Sequence, residues 1–198
     1  MNSAENSAGN FSDLVKQSRS IRRFYQDRPV VLETLRELID LARLAPTGSN
    51  RQSLRFLLSC EAHRNAAIFP HLGWAGYLRD WPGPVEGERP ASYILIFNDT
   101  TLSKTPGCDH GIAAQTILLG AREKGLGGCM IGSVQREELR QALGIDPRYE
   151  IALVLALGWP KEQVVVEPLP EGGDVRYWRD AEGVHHVPKR SLEELILG

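Results

Sequence analysis

Apolar and charged residues separate at helical spacing over residues 33–43. Leu35, Leu38, Ile39 and Ala42 fall on one face, and Glu33, Arg36, Glu37, Asp40 and Arg43 on the other. This predicts an amphipathic helix that ends before Pro46. Leu14 and Val15 begin a shorter helical pattern ahead of it. Phe56 to Ser59, Tyr93 to Phe97 and Tyr149 to Leu157 read as buried strands, the last placed in the interior of a sheet. A helix from about His110 to Lys124, capped by Asp109, presents the small apolar face Ile112, Ala113, Thr116, Ile117 and Gly120, which permits close packing against another helix. Gly125, Gly127 and Gly128 end that helix and lead into a turn at Cys129-Met130-Ile131-Gly132. Ser133 is then placed to cap a helix running to about Leu143.

The remaining stretches are less periodic. Thr47-Gly48-Ser49-Asn50 is a loop by composition. Residues 63–90 are interrupted by Gly73, Gly76, Pro82, Gly83, Pro84, Gly87 and Pro90 while Trp74, Tyr77 and Trp81 supply bulk. That pattern reads as a long irregular segment, either a functional cover or an insertion that packs on its own aromatics. Val175 to Trp178 and Val184 to Val187 read as short extended pieces, and Ser191 with Glu194 matches a capping box for a last short helix. Strands and helices alternate without repeated βαβ spacing, which favours an α+β class over a doubly wound one.

Composition narrows the function classes. The chain has 198 residues, 42% hydrophobic and 24% charged, ordinary values for one globular domain over residues 1–198 that needs no disulfide or structural metal. Cys60, Cys108 and Cys129 form no C-x-x-C pair, which argues against a disulfide framework and a zinc site. A net charge of -2 with pI near 6.2 is a poor footprint for nucleic-acid binding. The longest apolar run, Ile151 to Leu157, falls far short of the ~20 residues that span a bilayer. Residues 1–10 are polar, carry Glu5 and lack a basic and an apolar stretch, so they read as a flexible N-terminus and not as a signal peptide. A cytoplasmic location is expected.

Candidate chemistry begins with Ser18-Arg19-Ser20-Ile21-Arg22-Arg23, where three guanidinium groups and two hydroxyls crowd one stretch. Guanidinium forks and serine donors suit phosphate oxygens, although a solvated basic face would give the same local pattern. A second basic pair, Lys189-Arg190, follows Pro188 and precedes Ser191. Together the two clusters suggest one phosphate monoester held by both ends of the chain, which requires those ends to meet within one subunit or across a dimer. No G-x-G-x-x-G or Walker-type loop follows a strand, and Gly125-Leu126-Gly127-Gly128 follows a helix and reads as its stop. Asn50 and Gln52, with Arg55, offer paired donor and acceptor edges suited to a heterocycle, or to ordinary turn chemistry. His185 and His186 are adjacent and face opposite sides of an extended strand, poor geometry for shared metal ligation. Asp109-His110 lacks the context of a catalytic relay and is assigned to capping.

Arg19-Ser20-Ile21-Arg22-Arg23-Phe24 and Ala42-Arg43-Leu44-Ala45-Pro46-Thr47-Gly48-Ser49-Asn50-Arg51-Gln52 resemble the opening blocks of the nitroreductase family. Asp109-His110-Gly111-Ile112-Ala113-Ala114-Gln115, the Gly125 to Cys129 turn, Ile131-Gly132 and Val187-Pro188-Lys189-Arg190 are similar to its later blocks, in the same order. Ser18 stands where many members carry another arginine, and the Cys129 to Gly132 segment lacks the Pro-x-Glu-Gly form of some branches.

The resemblance implies an α+β fold with a central, mostly antiparallel sheet flanked by helices, interlocked as a homodimer with an extended C-terminal segment. It implies FMN at the dimer interface, with NAD(P)H as hydride donor and a nitroaromatic, quinone or activated alkene as acceptor. On this mapping Arg19, Ser20 and Arg22 with Lys189 or Arg190 bind the phosphate and ribityl chain. Asn50 and Gln52 meet the flavin ring, Met130, Ile131 and Gly132 lie near its other edge, and the Gly48-Ser49 loop comes from the partner subunit. Trp74, Tyr77 and Trp81 cover the substrate. The flavin carries the chemistry, so no catalytic side chain is assigned. A non-catalytic flavin carrier or sensor, or a specialised flavin dehydrogenase or dehalogenase, would use the same scaffold.

Overall fold

The structure, a computed structural model, describes residues 11–198. The flexible stretch expected at residues 1–10 lies outside the described residues. In chain order the elements are α1 (Phe11–Gln17), α2 (Leu32–Leu44), β1 (Leu54–Ser59), α3 (Ala62–Ile68), β2 (Ser92–Asp99) and α4 (Asp109–Glu123). They continue with β3 (Gly127–Ile131), α5 (Arg136–Ala142), β4 (Tyr149–Gly158), β5 (Val164–Pro168), β6 (Trp178–Arg179) and β7 (His185–Lys189).

The main sheet has the order β1-β2-β4-β3 with every neighbouring pair antiparallel. Side chains alternate across a strand, and both faces of this sheet are buried. Ile94 and Ile96 of β2 meet Leu35 and Leu38 of α2 and Ala113 and Ile117 of α4. Tyr93, Leu95 and Phe97 meet Ile68 of α3 and Leu139 of α5 on the other face. The α+β class with an antiparallel sheet flanked by helices is therefore observed, and β4 is an interior strand. The small face of α4 packs on α2 as its composition predicts. A Cβ built at Gly120 would lie 2.6 Å from Leu41 Cδ1 and 3.1 Å from Leu38 Cδ2, so a larger residue there would make these two leucine side chains shift. Past β4 the chain builds a second sheet, β5-β7-β6, with β5 and β7 parallel and β6 and β7 antiparallel.

Several local expectations are corrected. Asp109 is the first residue of α4 and Cys108 its N-cap, with no side-chain cap bond. Cys129 to Ile131 form part of strand β3 and not a turn. The chain needs only Gly125 (φ +78) to end α4: the Gly125 N–H bonds to Arg122 O and the Leu126 N–H to Ala121 O, a C-cap of the Schellman type. α5 starts at Arg136 behind Gln135, so Ser133 does not cap it. Residues 63–90 are not wholly irregular, since α3 and a short 3-10 turn at Phe69–His71 occupy their start. The strand expected at Val175 to Trp178 shrinks to Trp178–Arg179. The Ser191 and Glu194 capping box forms both of its bonds (Ser191 N to Glu194 Oε2, 3.0 Å; Glu194 N to Ser191 Oγ, 3.2 Å), yet the chain closes a turn there and no helix follows. One hydrogen-bonded turn does not offset the nucleation cost of a helix.

Leu155 lies at the centre of the sheet with no exposed surface. Leu155→Ala is expected to destabilise the fold by about 2–5 kcal/mol in chemical denaturation, the range for a buried leucine whose cavity cannot collapse.

Candidate functional site

The segment Ser20 to Phe24 runs along the edge of β3. Ser20 bridges Gly128 in parallel, and the Ile21 N–H donates to Gly128 O at 3.0 Å. Gly127 makes room for it, because a Cβ there would sit 2.7 Å from Ile21 Cγ1. The next two backbone N–H groups, of Arg22 and Arg23, donate to Glu162 Oε1. Glu162 has no exposed side-chain surface and also receives Arg179 Nη2 at 2.9 Å. The backbone is thus committed, and consecutive side chains leave it on opposite sides.

Arg23 turns to Glu88 in a two-pronged pair of 2.6 and 2.7 Å, joined by Lys161 at 3.1 Å. The Arg23 hydrogen bond, then Lys161, holds the Glu88 carboxyl down to about 2. Arg23 is consequently not available to a ligand. Arg22 turns the other way, into a cavity of about 350 Å³ lined by Arg19, Ser20, Arg22, Gln115, Met130, Tyr177, His185 and Lys189 among others. Among the described residues, Arg19, Arg22 and Lys189 have no carboxylate partner, whereas Arg23, Arg179 and Arg190 each have one. The two basic ends of the sequence therefore do meet, and within one chain.

Burial sharpens the electrostatics. The Arg22 guanidinium lies 5.0 Å from the Tyr177 ring centroid, and its Nη1 approaches His185 Nε2 at 3.4 Å. His185 is 1% exposed, and its Nδ1 is buried with no hydrogen-bond partner among the described residues. Burial, then the Arg22 and Arg179 charges, lowers the imidazole from 6.5 to about 4. The ring is neutral at pH 7, with Nε2 placed to accept from Arg22 and Nδ1 assigned the proton. On the opposite face of β7, His186 has Nε2 3.0 Å from Asp180 and Nδ1 3.1 Å from Glu167, under a parallel Trp178 ring at 4.1 Å. Both nitrogens face carboxylates, so the imidazolium form is favoured, and Asp180 first, then Glu167, raises its pKa.

The other predicted site residues divide. Met130 lines the cavity; the Ile131 side chain is buried in the core beneath β3, and Gly132 is exposed just beyond the strand. Arg190 is directed to Glu194 at 3.2 Å and does not line the cavity. Gly48, Ser49, Asn50 and Gln52 sit on a separate exposed loop, where Ser49, Asn50 and Gln52 take φ of 53, 51 and 51. That loop borders a different hollow, of about 530 Å³, lined by Thr47, Arg51, Gln52, Arg55 and Phe56 among others. Tyr77 reaches the cavity region, with its ring 5.0 Å from that of Tyr177 and its N–H 3.3 Å from Tyr177 Oη. Trp74 packs against Phe69 at 5.8 Å, and Trp81 lies under the Arg179 guanidinium at 4.7 Å.

Sequence reasoning missed Tyr177, His185, Gln115 and Glu162. The alternation of His185 and His186 placed one of them inward but could not name Arg22 as its neighbour. Buried Glu162 carries no local signal, because its partners lie 17, 139 and 140 positions away. Cys129 beneath the site is pushed up to about 12 by burial and has no nucleophilic character at neutral pH.

The fold is an α+β one whose antiparallel sheet lies beside a cavity lined by three cations that have no carboxylate partner among the described residues. A sequence model of the nitroreductase family matches residues 15–82 and 85–159, and the chain belongs to that family. A structure from Desulfovibrio desulfuricans, described as a nitroreductase in complex with FMN, is 27% identical, covers 97% of this chain and 98% of its own, and superposes with a TM-score of 0.68. An Archaeoglobus fulgidus protein named as an NADH dehydrogenase/NAD(P)H nitroreductase is 28% identical over 158 residues, 76% of this chain and 85% of its own. A 5,6-dimethylbenzimidazole synthase of Rhodospirillum rubrum is 27% identical over 184 residues, 80% and 84% of the two chains. Among the described residues no helix is long and apolar enough to cross a membrane.

The two histidines are expected to titrate on opposite sides of 6.5 in imidazole NMR spectra, His185 near 4 and His186 above 6.5. The unfolded chain takes up protons at His185 before the folded one does, so stability from that site falls as pH drops from about 6.5 towards 4. Stability from His186 is complete below 6.5 and is lost as pH rises through its raised folded value. Protection factors of the β7 amides, corrected for the intrinsic pH dependence of exchange, should therefore peak near pH 6.5 and fall on either side.

Proposed function

We propose that the chain is an FMN-dependent oxidoreductase that uses NAD(P)H to reduce a small oxidised acceptor, and that it works as a homodimer. The observation that carries this reading is the convergence of Arg19, Arg22 and Lys189, which have no carboxylate partner among the described residues, on one cavity with the Ser20 hydroxyl. The donor set fits a phosphate monoester: two guanidinium groups, an ammonium and a hydroxyl. When bound, FMN supplies the two-electron chemistry, taking hydride at N5 from NAD(P)H and passing it to a nitroaromatic, quinone or activated alkene.

The chain's own residues bind, orient and exclude water. Arg22, backed by neutral His185 and the Tyr177 ring, presents its guanidinium from a partly desolvated wall, where it attracts phosphate more strongly than in bulk water. Met130 presents an exposed apolar side chain at the edge of β3, suited to contact with a planar ring. Asn50 and Gln52 supply amide edges for the ring, and since their loop borders another hollow of the same chain, a second copy is needed to bring it over this cavity. The exposed Leu192, Leu195, Ile196 and Leu197 of the C-terminal tail support such an association. Tyr77 is the aromatic best placed to cover an acceptor, because Trp74 and Trp81 pack elsewhere.

Purified chain supplemented with FMN is expected to hold the flavin, visible as absorption near the bound-flavin bands, and to oxidise NADH or NADPH when an acceptor is supplied. A chain that stays colourless and oxidises neither would overturn the proposal. Arg22→Ala should weaken FMN binding by about 1.5–3 kcal/mol in titrations of the apo-protein while leaving the unfolding midpoint nearly unchanged. Equal FMN affinity in the variant would contradict the phosphate assignment.

A further inference from the structure

Asp109 is 7% exposed at the head of α4, a position where a carboxylate commonly caps its own helix. It has no such bond. Its Oδ1 instead accepts the backbone N–H of Gly48, 61 residues earlier, at 2.9 Å. That contact ties the helix to the loop whose residues Ser49, Asn50 and Gln52 all hold left-handed conformations without being glycine. Such conformations are costly for residues with a side chain and persist only where their surroundings over-determine them. The far end of the loop is held by Arg55, whose Nη1 donates to Gln52 O at 3.0 Å. Asp109 is the corresponding post at the near end.

Resting on the FMN reading above, we infer that Asp109 is a positioning residue: through Gly48 it sets the conformation in which the loop presents Asn50 and Gln52 to the flavin ring. It does not touch the ligand. The bond joins a buried carboxyl oxygen to a loop amide, so its loss leaves the phosphate contacts intact and alters the ring environment alone.

Two substitutions break the bond from opposite sides. Asp109→Ala removes the acceptor. Gly48→Pro removes the donor at the first position of the 3-10 turn Gly48–Asn50, where proline is tolerated, behind a Thr47 already extended at φ -128 and ψ 151 as a residue before proline must be. Asp109→Asn keeps an acceptor oxygen. In flavin-free protein, amide exchange at residues 49–52 is expected to speed up in Asp109→Ala and Gly48→Pro, with the main sheet unaffected, and to return close to wild type in Asp109→Asn.

With FMN bound, the first two variants should shift the visible flavin bands and lower NAD(P)H-dependent turnover about tenfold, the size of losing one charge-assisted hydrogen bond. FMN affinity should change less than about threefold, and Asp109→Asn should recover most of the turnover. The double variant Asp109→Ala/Gly48→Pro should lose no more than either single one, because all three lack the same bond. If Asp109→Ala does not fold, Gly48→Pro alone decides. Wild-type exchange, bands and turnover in a folded bond-breaking variant overturn the inference while the function stands. A wild-type chain that takes up no FMN overturns the function and this role together.

Discussion

The buried carboxylate of Glu162 is the contact on which the arrangement of the site depends. It accepts the backbone N–H groups of Arg22 and Arg23 and pairs with Arg179, so one side chain from the link between β4 and β5 fixes the N-terminal segment and the second sheet together. An uncompensated charge there would be costly, and three donors compensate it. With the backbone held, alternation sends Arg23 to Glu88 and Arg22 to the cavity. Arg179 in turn carries Trp81 on its guanidinium, which anchors the aromatic segment to the same network.

That network explains which features were legible in the sequence. α2, α4 with its glycine stop, and the interior strand β4 were readable because periodicity and a C-cap glycine are local signals. The start of α5 and the fate of the Ser191 turn were not, since tertiary packing decides whether a capped turn propagates. The basic cluster was readable as a cluster. Nothing local separates Arg22 from Arg23, because the partners that distinguish them, Glu88 and Glu162, lie 65 and about 140 positions away. Asp109 was read as a cap for the same reason: its partner Gly48 belongs to a distant loop.

The family and the geometry supply different parts of the account. Membership in the nitroreductase family sets the scaffold, and the antiparallel sheet with helices on both faces agrees with it. In the proposed function, the cations without a carboxylate partner among the described residues hold the anion. The amide-bearing loop and the phosphate cavity of one site then belong to two copies of the chain; within each copy α4 touches that copy's own loop at Asp109 and its own cavity at Gln115, so the helix links the two sites.

The central claim is that the cavity of Arg19, Ser20, Arg22 and Lys189 recognises the phosphate of FMN. Isothermal titration of the apo-protein with FMN and with riboflavin, which lacks only that phosphate, tests it most directly. The account predicts that riboflavin binds at least about 100-fold more weakly, as expected when two or more charge-assisted contacts are removed. Equal affinity for the two flavins would contradict it.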